Sequence, residues 1–478
     1  MTEASFPRKT KIVATLGPAS SSREVLSHMI DAGLNVARLN FSHGDHESHR
    51  AVIKILRELS AEKGRDVGIL QDLSGPKIRL GAISERRLET GDKIRLVVGQ
   101  GDTPPEVLSV NYEFLTDDVE VGSRILLADG RMELKILGKD KDGLDAEVLT
   151  GGDISAHKGV NLPDSNLRVR AFTEKDKLDL TTGLDAGVDF VAMSFVRHED
   201  DLKPVREMIN RSVSPPLLIA KIEKPQALTR VPQILDVADG LMVARGDLGV
   251  EMALEDVPHI QKMLIASARR RGKVVITATQ MLASMVSSPR PTRAEVTDVA
   301  NAILDGTGAV MLSDETAVGQ YPVEAVAILD RVAKATEPNI EMDKFLNEEM
   351  DPRLDPMGAS ITHAVSILAK ERNAKAIVAI TQTGSTARLV SHFRQQVPIV
   401  GMTSSQTTYR QLTISWGVTP AMAPACDSIM LLEQLASEFL VKNGIAKKGD
   451  VVFLTCGLPL QRSGTTNLIK LLDIGESS

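Results

Sequence analysis

Residues 217–280 read LLIAKIEKPQALTRVPQILDVADGLMVARGDLGVEMALEDVPHIQKMLIASARRRGKVVITATQ. Three short apolar runs, LLIAKIE (217–223), GLMVA (240–244) and KVVITATQ (273–280), read as strands by their length and residue types. Between them, PQALTRVPQIL and EDVPHIQKMLIASARR carry apolar residues at helical spacing. Strand and helix alternating at this spacing is the pattern of a parallel sheet. The same alternation extends outward from Lys11 to about Thr336, with KIVATL (11–16), NVARLN (35–40), DVGILQ (66–71), DFVAMSF (189–195) and GAVML (308–312) as further strands. Eight such units predict an α/β fold closed into a (β/α)8 TIM barrel.

The third unit is interrupted. Between Pro76 and about Ala171 the runs RLVVG, RILLA, MELKIL and AEVLT alternate across GD, DG and KDG turns, which predicts an inserted all-β unit, a β-barrel lid. It leaves the barrel at the carboxyl end of the third strand, the face where active sites form in this fold, so it is expected to act as a mobile cover. A polar stretch with prolines, EPNIEMDKFLNEEMDPRLDPMG, reads as a linker into a C-terminal α/β unit. The expected division is 1–75 with 172–340 for the barrel, 76–171 for the lid and 341–478 for the C-terminal unit.

Composition narrows the chemistry. The 478 residues carry 56 Lys plus Arg against 63 Asp plus Glu, so no overall basic field exists to collect nucleic acid or an anionic membrane. Aromatic residues make up 3% of the chain, with Trp416 alone of its kind, which argues against base-stacking platforms. Cys426 and Cys456 lack the spacing of a zinc site or disulfide framework. The start, MTEASFPRKTK, has no apolar leader core, and no run is long enough to span a bilayer. A cytoplasmic small-molecule enzyme without nucleic-acid or membrane partners is expected.

Residues at the carboxyl ends of barrel strands point into the catalytic mouth. Here those ends are polar: Arg38, Asn40, Ser42 and His43 after the second strand, Asp72 after the third, Lys221 and Glu223 on the fifth, Arg245-Gly246-Asp247 after the sixth, Thr279-Gln280 after the seventh, Ser313 and Glu315 after the eighth. Alternation sets Lys221 and Glu223 on one side of their strand. An unpaired charge buried there costs several kcal/mol, so the pair signals function or a structural ion pair. Glu223 and Asp247 suit a hard divalent ion that keeps waters and takes further oxygens from substrate, as magnesium does. Arg38 and Lys221 offer positive charge to a phosphoryl group. These residues predict a magnesium-dependent enzyme for a small phosphorylated substrate, and they do not name the reaction.

The motifs KIVATLGPAS (11–20), NVARLNFSHG (35–44), GPKIR (75–79), HKGVNLP (157–163), IAKIEKP (219–225), LMVARGDLGVE (241–251), ATQMLASM (278–285), PTRAEVTDVANAILDG (291–306) and MLSDETAVG (311–319) resemble, in order, those of the pyruvate kinase family. The resemblance covers essentially the whole chain. It implies transfer of the phosphoryl group of phosphoenolpyruvate to ADP, giving pyruvate and ATP, with Mg2+ or Mn2+ as cofactor and a homotetramer as the assembly. Arg38 and Lys221 resemble the residues that hold the phosphoryl group. Glu223 and Asp247 resemble metal ligands, and Gly246, Asp247 and Thr279 resemble the contacts of the substrate carboxylate. Thr279, with Ser313 and Glu315 beside it, lies where the family protonates its enolate. Asn40, His43, Arg79 and Lys158 resemble nucleotide-binding positions.

One motif departs from the commoner pattern. Potassium-requiring relatives read DTKGPEIR where this chain reads DLSGPKIR (72–79). In those relatives Asn40, Ser42, Asp72 and the carbonyl of Leu73 correspond to the groups that hold the ion. The Lys77 ammonium in place of a glutamate is expected to serve that pocket and remove the need for K+. In the C-terminal unit Thr381, Thr383, Gly384, Ser385 and Thr386 precede a helix as in a phosphate cradle and resemble the family's effector loop, with QRSGTTN (461–467) at the place of a second loop. The competing readings are another barrel enzyme acting on phosphoenolpyruvate or pyruvate, for which a phosphohistidine domain would be expected, and a catalytically silent metabolite sensor.

Overall fold

The computed structural model describes residues 8–101, 103–460, 464 and 466–475; residues 1–7 of the MTEASFPRKTK segment and most of the second loop, 461–463 and 465, lie outside them. Eight parallel strands close into a barrel in chain order: Lys11–Leu16, Val36–Asn40, Gly68–Asp72, Phe190–Met193, Leu217–Ile222, Gly240–Ala244, Val274–Ala278 and Ala309–Leu312. Most of these strands are buried along their whole length, as expected where helices cover the outside and side chains fill the inside. Polar caps start the intervening helices. Thr173 with Asp176 and Thr292 with Glu295 form reciprocal capping boxes, each satisfying two backbone N–H groups at the helix start. Gly187 closes the helix Glu174–Ala186 in a left-handed conformation that a side chain would resist.

The barrel interior holds Val13, Val36, Leu70, Phe190, Ile219, Met242, Ile276 and Met311, packed around Ile414, a residue of the C-terminal unit. Ile414 is fully buried and closes the bottom of the barrel.

The insertion builds a six-stranded sheet around its own apolar core, together with a two-stranded ribbon of Arg86–Leu88 and Gly152–Ile154. Isolated bridges from Arg79 to Gly159 and from Leu80 to Val110 join the two edges of the larger sheet, so the strands come round into a barrel-like circle. The lid also touches the barrel mouth: Asn161 donates to Glu251 at 2.8 Å, and Lys224 pairs with the same carboxylate.

The C-terminal unit is a five-stranded sheet with helices, including Pro356–Glu371, Ser385–His392 and Ile429–Lys442. Its edge strand Val418–Met422 went unread in the sequence. The stretch expected as a linker is packed instead. It forms a short helix, Met342–Leu346, buries Phe345, and is tied to the barrel by Arg269 and Arg270 to Glu348 and by Arg271 to Asp351. Alternating acidic residues hid the apolar spacing of Met342, Phe345 and Leu346. Among the described residues no helix is long and apolar enough to cross a membrane, and both cysteines are free.

Candidate active site

The strand ends bring the expected charges together. Arg38 donates from Nε to Asp72 Oδ2 at 2.7 Å and from Nη1 to the Thr15 hydroxyl at 2.7 Å. Lys221 Nζ lies 2.8 Å from Glu223 Oε1, 3.3 Å from Asp72 Oδ1 and 2.7 Å from Ser194 Oγ, and the Ser194 hydroxyl donates to the Leu73 carbonyl. Burial opposes the charge on Lys221, but Asp72 and Glu223 overcome it and raise the ammonium above its ordinary range. Burial likewise opposes ionisation of Asp72, and Lys221 and Arg38 reverse the balance so that its carboxyl falls below the usual range. Lys221 therefore stays charged, and it and Arg38 are both held by a carboxylate that is 1% exposed.

The second Glu223 oxygen accepts from the Phe195 amide at 2.9 Å, and Phe195 adopts a positive φ of 59° to present it. Asp247 opens onto the cleft at the start of the helix Arg245–Glu251. Crowding by protein atoms and then the Glu223 charge raise its carboxyl. Two carboxylates in mutual repulsion, with oxygen donors only, fit a hard divalent cation. Among the described residues no set of three or more His, Cys, Asp and Glu side chains forms a cage, so such an ion would take its remaining oxygens from water and substrate.

Beside Asp247, the Gly246 amide donates to Thr279 Oγ1 at 2.7 Å, and the Thr279 hydroxyl donates to the Ala278 carbonyl. Thr279 and Gln280 both have positive φ, 66° and 54°, a strained turn held by Arg245, which donates to the Thr279 carbonyl and pairs with Asp298. Glu315 is 2% exposed, and its two oxygens accept from the Ser313 and Leu282 amides at 2.7 and 3.0 Å. It braces the ends of the last two strands, with Ser313 beside it at the rim.

At the lid hinge, Asn111 fixes the backbone on both sides of Ile78: it accepts from the Arg79 amide and donates to the Lys77 carbonyl. Lys77 is half-buried, and burial followed by Arg79, Lys221 and Lys175 lowers its ammonium to about 8, opposed by Asp72. Partial burial and the charges of Lys77, Arg79 and Arg38 hold the His43 imidazole below its ordinary range. Arg79 reaches the His157 carbonyl, its neighbour Lys158 is exposed, and Arg79 lies near enough to His43 to affect its imidazole. Asn40 Oδ1 accepts from the Ser42 amide at 3.1 Å.

Sequence reasoning passed over Thr15 and Ser194, which orient Arg38 and Lys221. Both are hydroxyls at the carboxyl ends of apolar strands, in KIVATL and DFVAMSF, and the rule that found Thr279 would have found them.

In the C-terminal unit Thr381, Thr383, Ser385 and Thr386 line an open cleft, and Thr386 and Thr466 share a hydrogen bond at 2.8 Å across it. Gly384 has φ +80°, and a Cβ there would press on Arg388.

Comparison with known proteins agrees with this arrangement. A family profile described as "Pyruvate kinase, barrel domain" matches residues 7–326, and one described as "Pyruvate kinase, alpha/beta domain" matches residues 359–472. The chain is 46% identical over 477 residues to pyruvate kinase 2 of Synechocystis sp., covering 98% of this chain and 80% of the relative. It is 45% identical to the pyruvate kinase of Sporosarcina psychrophila, covering 98% of this chain and 81% of the relative. With the pyruvate kinase of Geobacillus stearothermophilus it shares 44%, covering 97% and 80%. The barrel, its polar mouth and matches that together span most of its length carry one conclusion: the chain belongs to the pyruvate kinase family.

Proposed function

We propose a division of labour for the reaction that family membership assigns to this chain, transfer of the phosphoryl group of phosphoenolpyruvate to ADP. The bond between phosphorus and the enol oxygen breaks, a bond to a β-phosphate oxygen of ADP forms, and the enolate carbon takes a proton to give pyruvate. Arg38 and Lys221 hold the phosphoryl group, and Lys221 stabilises charge that grows during transfer, since such a reaction needs mainly positioning and electrostatics. Glu223 and Asp247 would hold the divalent ion, Mg2+ with Mn2+ as the alternative, which when bound neutralises phosphoryl oxygens. Gly246, Asp247 and Thr279 receive the substrate carboxylate; for that the Thr279 hydroxyl must release the Gly246 amide it now occupies. A threonine hydroxyl is a weak acid, so Thr279 orients a water or proton relay with Ser313, while Glu315 keeps both strand ends in register.

Asn40, His43, Arg79 and Lys158 take the nucleotide, the last two from the lid side, so that closure of residues 76–171 over the barrel of 1–75 and 172–340 completes the ADP site. Lys77 serves the pocket of Asn40, Ser42, Asp72 and Leu73, and catalysis proceeds without potassium. Residues 341–478 bind a phosphorylated effector at Thr381, Thr383, Gly384, Ser385 and Thr386, and four copies of the chain assemble. The observation that carries the reading is the buried Lys221 ammonium, kept charged by Asp72 and Glu223 at the open mouth of the barrel. A coupled assay of pyruvate formation from phosphoenolpyruvate and ADP, with and without a divalent-ion chelator, tests it. Absence of pyruvate, or full activity in chelator, overturns it.

A further inference from the structure

A second concentration of positive charge lies at the opposite end of the barrel from the mouth. There a cavity opens between the amino ends of the strands Val274–Ala278 and Ala309–Leu312 and the segments 388–394 and 414–416 of the C-terminal unit. Arg269, Arg394, His392, Ser415 and Trp416 line it, each no more than 4% exposed. Each also has a buried side-chain nitrogen or oxygen without a protein partner among the described residues: Nε and Nη1 of Arg269, Nε of Arg394, Nε2 of His392, Oγ of Ser415 and Nε1 of Trp416. Native interiors rarely leave so many polar atoms unsatisfied in one place.

The partners that do exist sharpen the pattern. Arg269 spends Nη2 on Glu348, which Arg270 shares; Arg394 donates to the carbonyls of Ser391 and Gly306 and stacks at 4.8 Å over the Trp416 ring. His392 Nδ1 lies 2.6 Å from the Arg269 carbonyl, so that nitrogen carries the proton and Nε2 faces away as an acceptor. Burial, with the neighbouring arginines, lowers its imidazole to about 3, so it adds no charge. With Nη1 of Arg388, which also lines the cavity without a protein partner among the described residues, the free groups are five donor nitrogens from three guanidiniums and an indole, one hydroxyl able to donate, and one imidazole acceptor. Among the described residues Glu348 is the one carboxylate bonded to Arg269 or Arg394, and burial lowers the pKa of both guanidiniums, Arg394 well below the usual range. Water would satisfy the hydrogen bonds but not the charge, and uncompensated buried charge is expensive.

We propose that this cavity binds a small inorganic anion of chloride size, shared between the barrel base and the C-terminal unit. The free space takes a body of roughly one or two water molecules, which admits a halide and excludes a sugar phosphate or nucleotide. Arg269 comes from the barrel, Arg394 and Trp416 from the C-terminal unit, so the bound ion ties one to the other. The site shares no lining residue with the effector cleft or the catalytic mouth.

The test is scanning calorimetry of the full chain at constant ionic strength while gluconate is exchanged for chloride, with Trp416→Phe as the comparison. That substitution keeps an aromatic ring near Arg394 and removes the indole N–H together with the pyrrole part of the ring system. The parent melts at a temperature that rises and saturates with chloride, and in Trp416→Phe the half-saturating chloride concentration increases about fivefold, the effect of one hydrogen bond. Crystals grown in bromide show anomalous scattering within hydrogen-bond distance of Arg394 Nε. A melting temperature indifferent to the anion, an unchanged half-saturation in Trp416→Phe, or water alone between Arg269 and Arg394 in the bromide crystals overturns the proposal.

Discussion

The Thr279 hydroxyl oxygen accepts the Gly246 amide proton at 2.7 Å, so the backbone donor proposed for a substrate carboxylate is held by the same side chain that is proposed to serve proton transfer. Binding substrate frees the hydroxyl and the amide together. Thr279→Val, which keeps the shape and removes the hydroxyl, is expected to lower kcat by about 10²- to 10³-fold, while Thr279→Ser stays within about tenfold of the parent. Steady-state kinetics check this, and a valine variant with near-parental turnover contradicts the role.

Lys221→Met should lower turnover by about 10³-fold, because the ammonium stabilises charge that develops in transfer. It also strips a counterion from Asp72 and Glu223, both nearly buried, and removing one partner of such a cluster costs about 3–5 kcal/mol. Mg2+ should recover part of the lost melting temperature in the variant and change the parent less. Activity within about tenfold of the parent would sink the assignment.

Lys77 is expected to give a pH-dependent potassium effect. Its pKa is lowered to about 8 by burial and by Arg79, Lys221 and Lys175, with Asp72 opposing and His43 nearby. Below about 8 the ammonium is present; above it the charge is lost. Initial rates in tetramethylammonium buffer should therefore hold at pH 7 and fall as pH rises through 8, and added potassium should restore them at pH 9 but do little at pH 7. Lys77→Glu should need potassium at both values. Strong potassium activation of the parent at pH 7 refutes the replacement.

Thr383→Ala combined with Ser385→Ala should raise the activating concentration of a phosphorylated effector by about tenfold or more while the unactivated rate stays near parental, since each lost hydroxyl removes a hydrogen bond to a charged group. The readout is the rate at subsaturating phosphoenolpyruvate across a panel of sugar phosphates and nucleotides. If none activates the parent, the cradle reading fails.

The barrel was legible because its strands are apolar runs bounded by turns: KIVATL and GLMVA match Lys11–Leu16 and Gly240–Ala244 end to end. The mouth was legible because charge inside such runs is rare. Val418–Met422 escaped because VTPAM holds Pro420, whose missing N–H is tolerated on an edge strand but argues against a central one. The sequence around Met342–Leu346 looked polar because Asp343 and Lys344, between its apolar residues, face outward and acids flank them. Thr15 and Ser194 stand at the same kind of strand end as Thr279 and were readable as mouth residues, but their partners, Arg38 and Lys221, become known only once the strands are placed side by side.

Ile414 carries a consequence for how the chain comes off the ribosome. The eighth barrel strand ends at Leu312, yet the side chain that fills the bottom of the barrel is about a hundred residues further on. During synthesis the finished ring of strands therefore waits with an apolar opening at its base, a surface suited to chaperones or to wrong partners, until the C-terminal unit arrives to close it. Closure of the barrel base is deferred to a late stage of translation, and an isolated barrel fragment would carry that opening permanently.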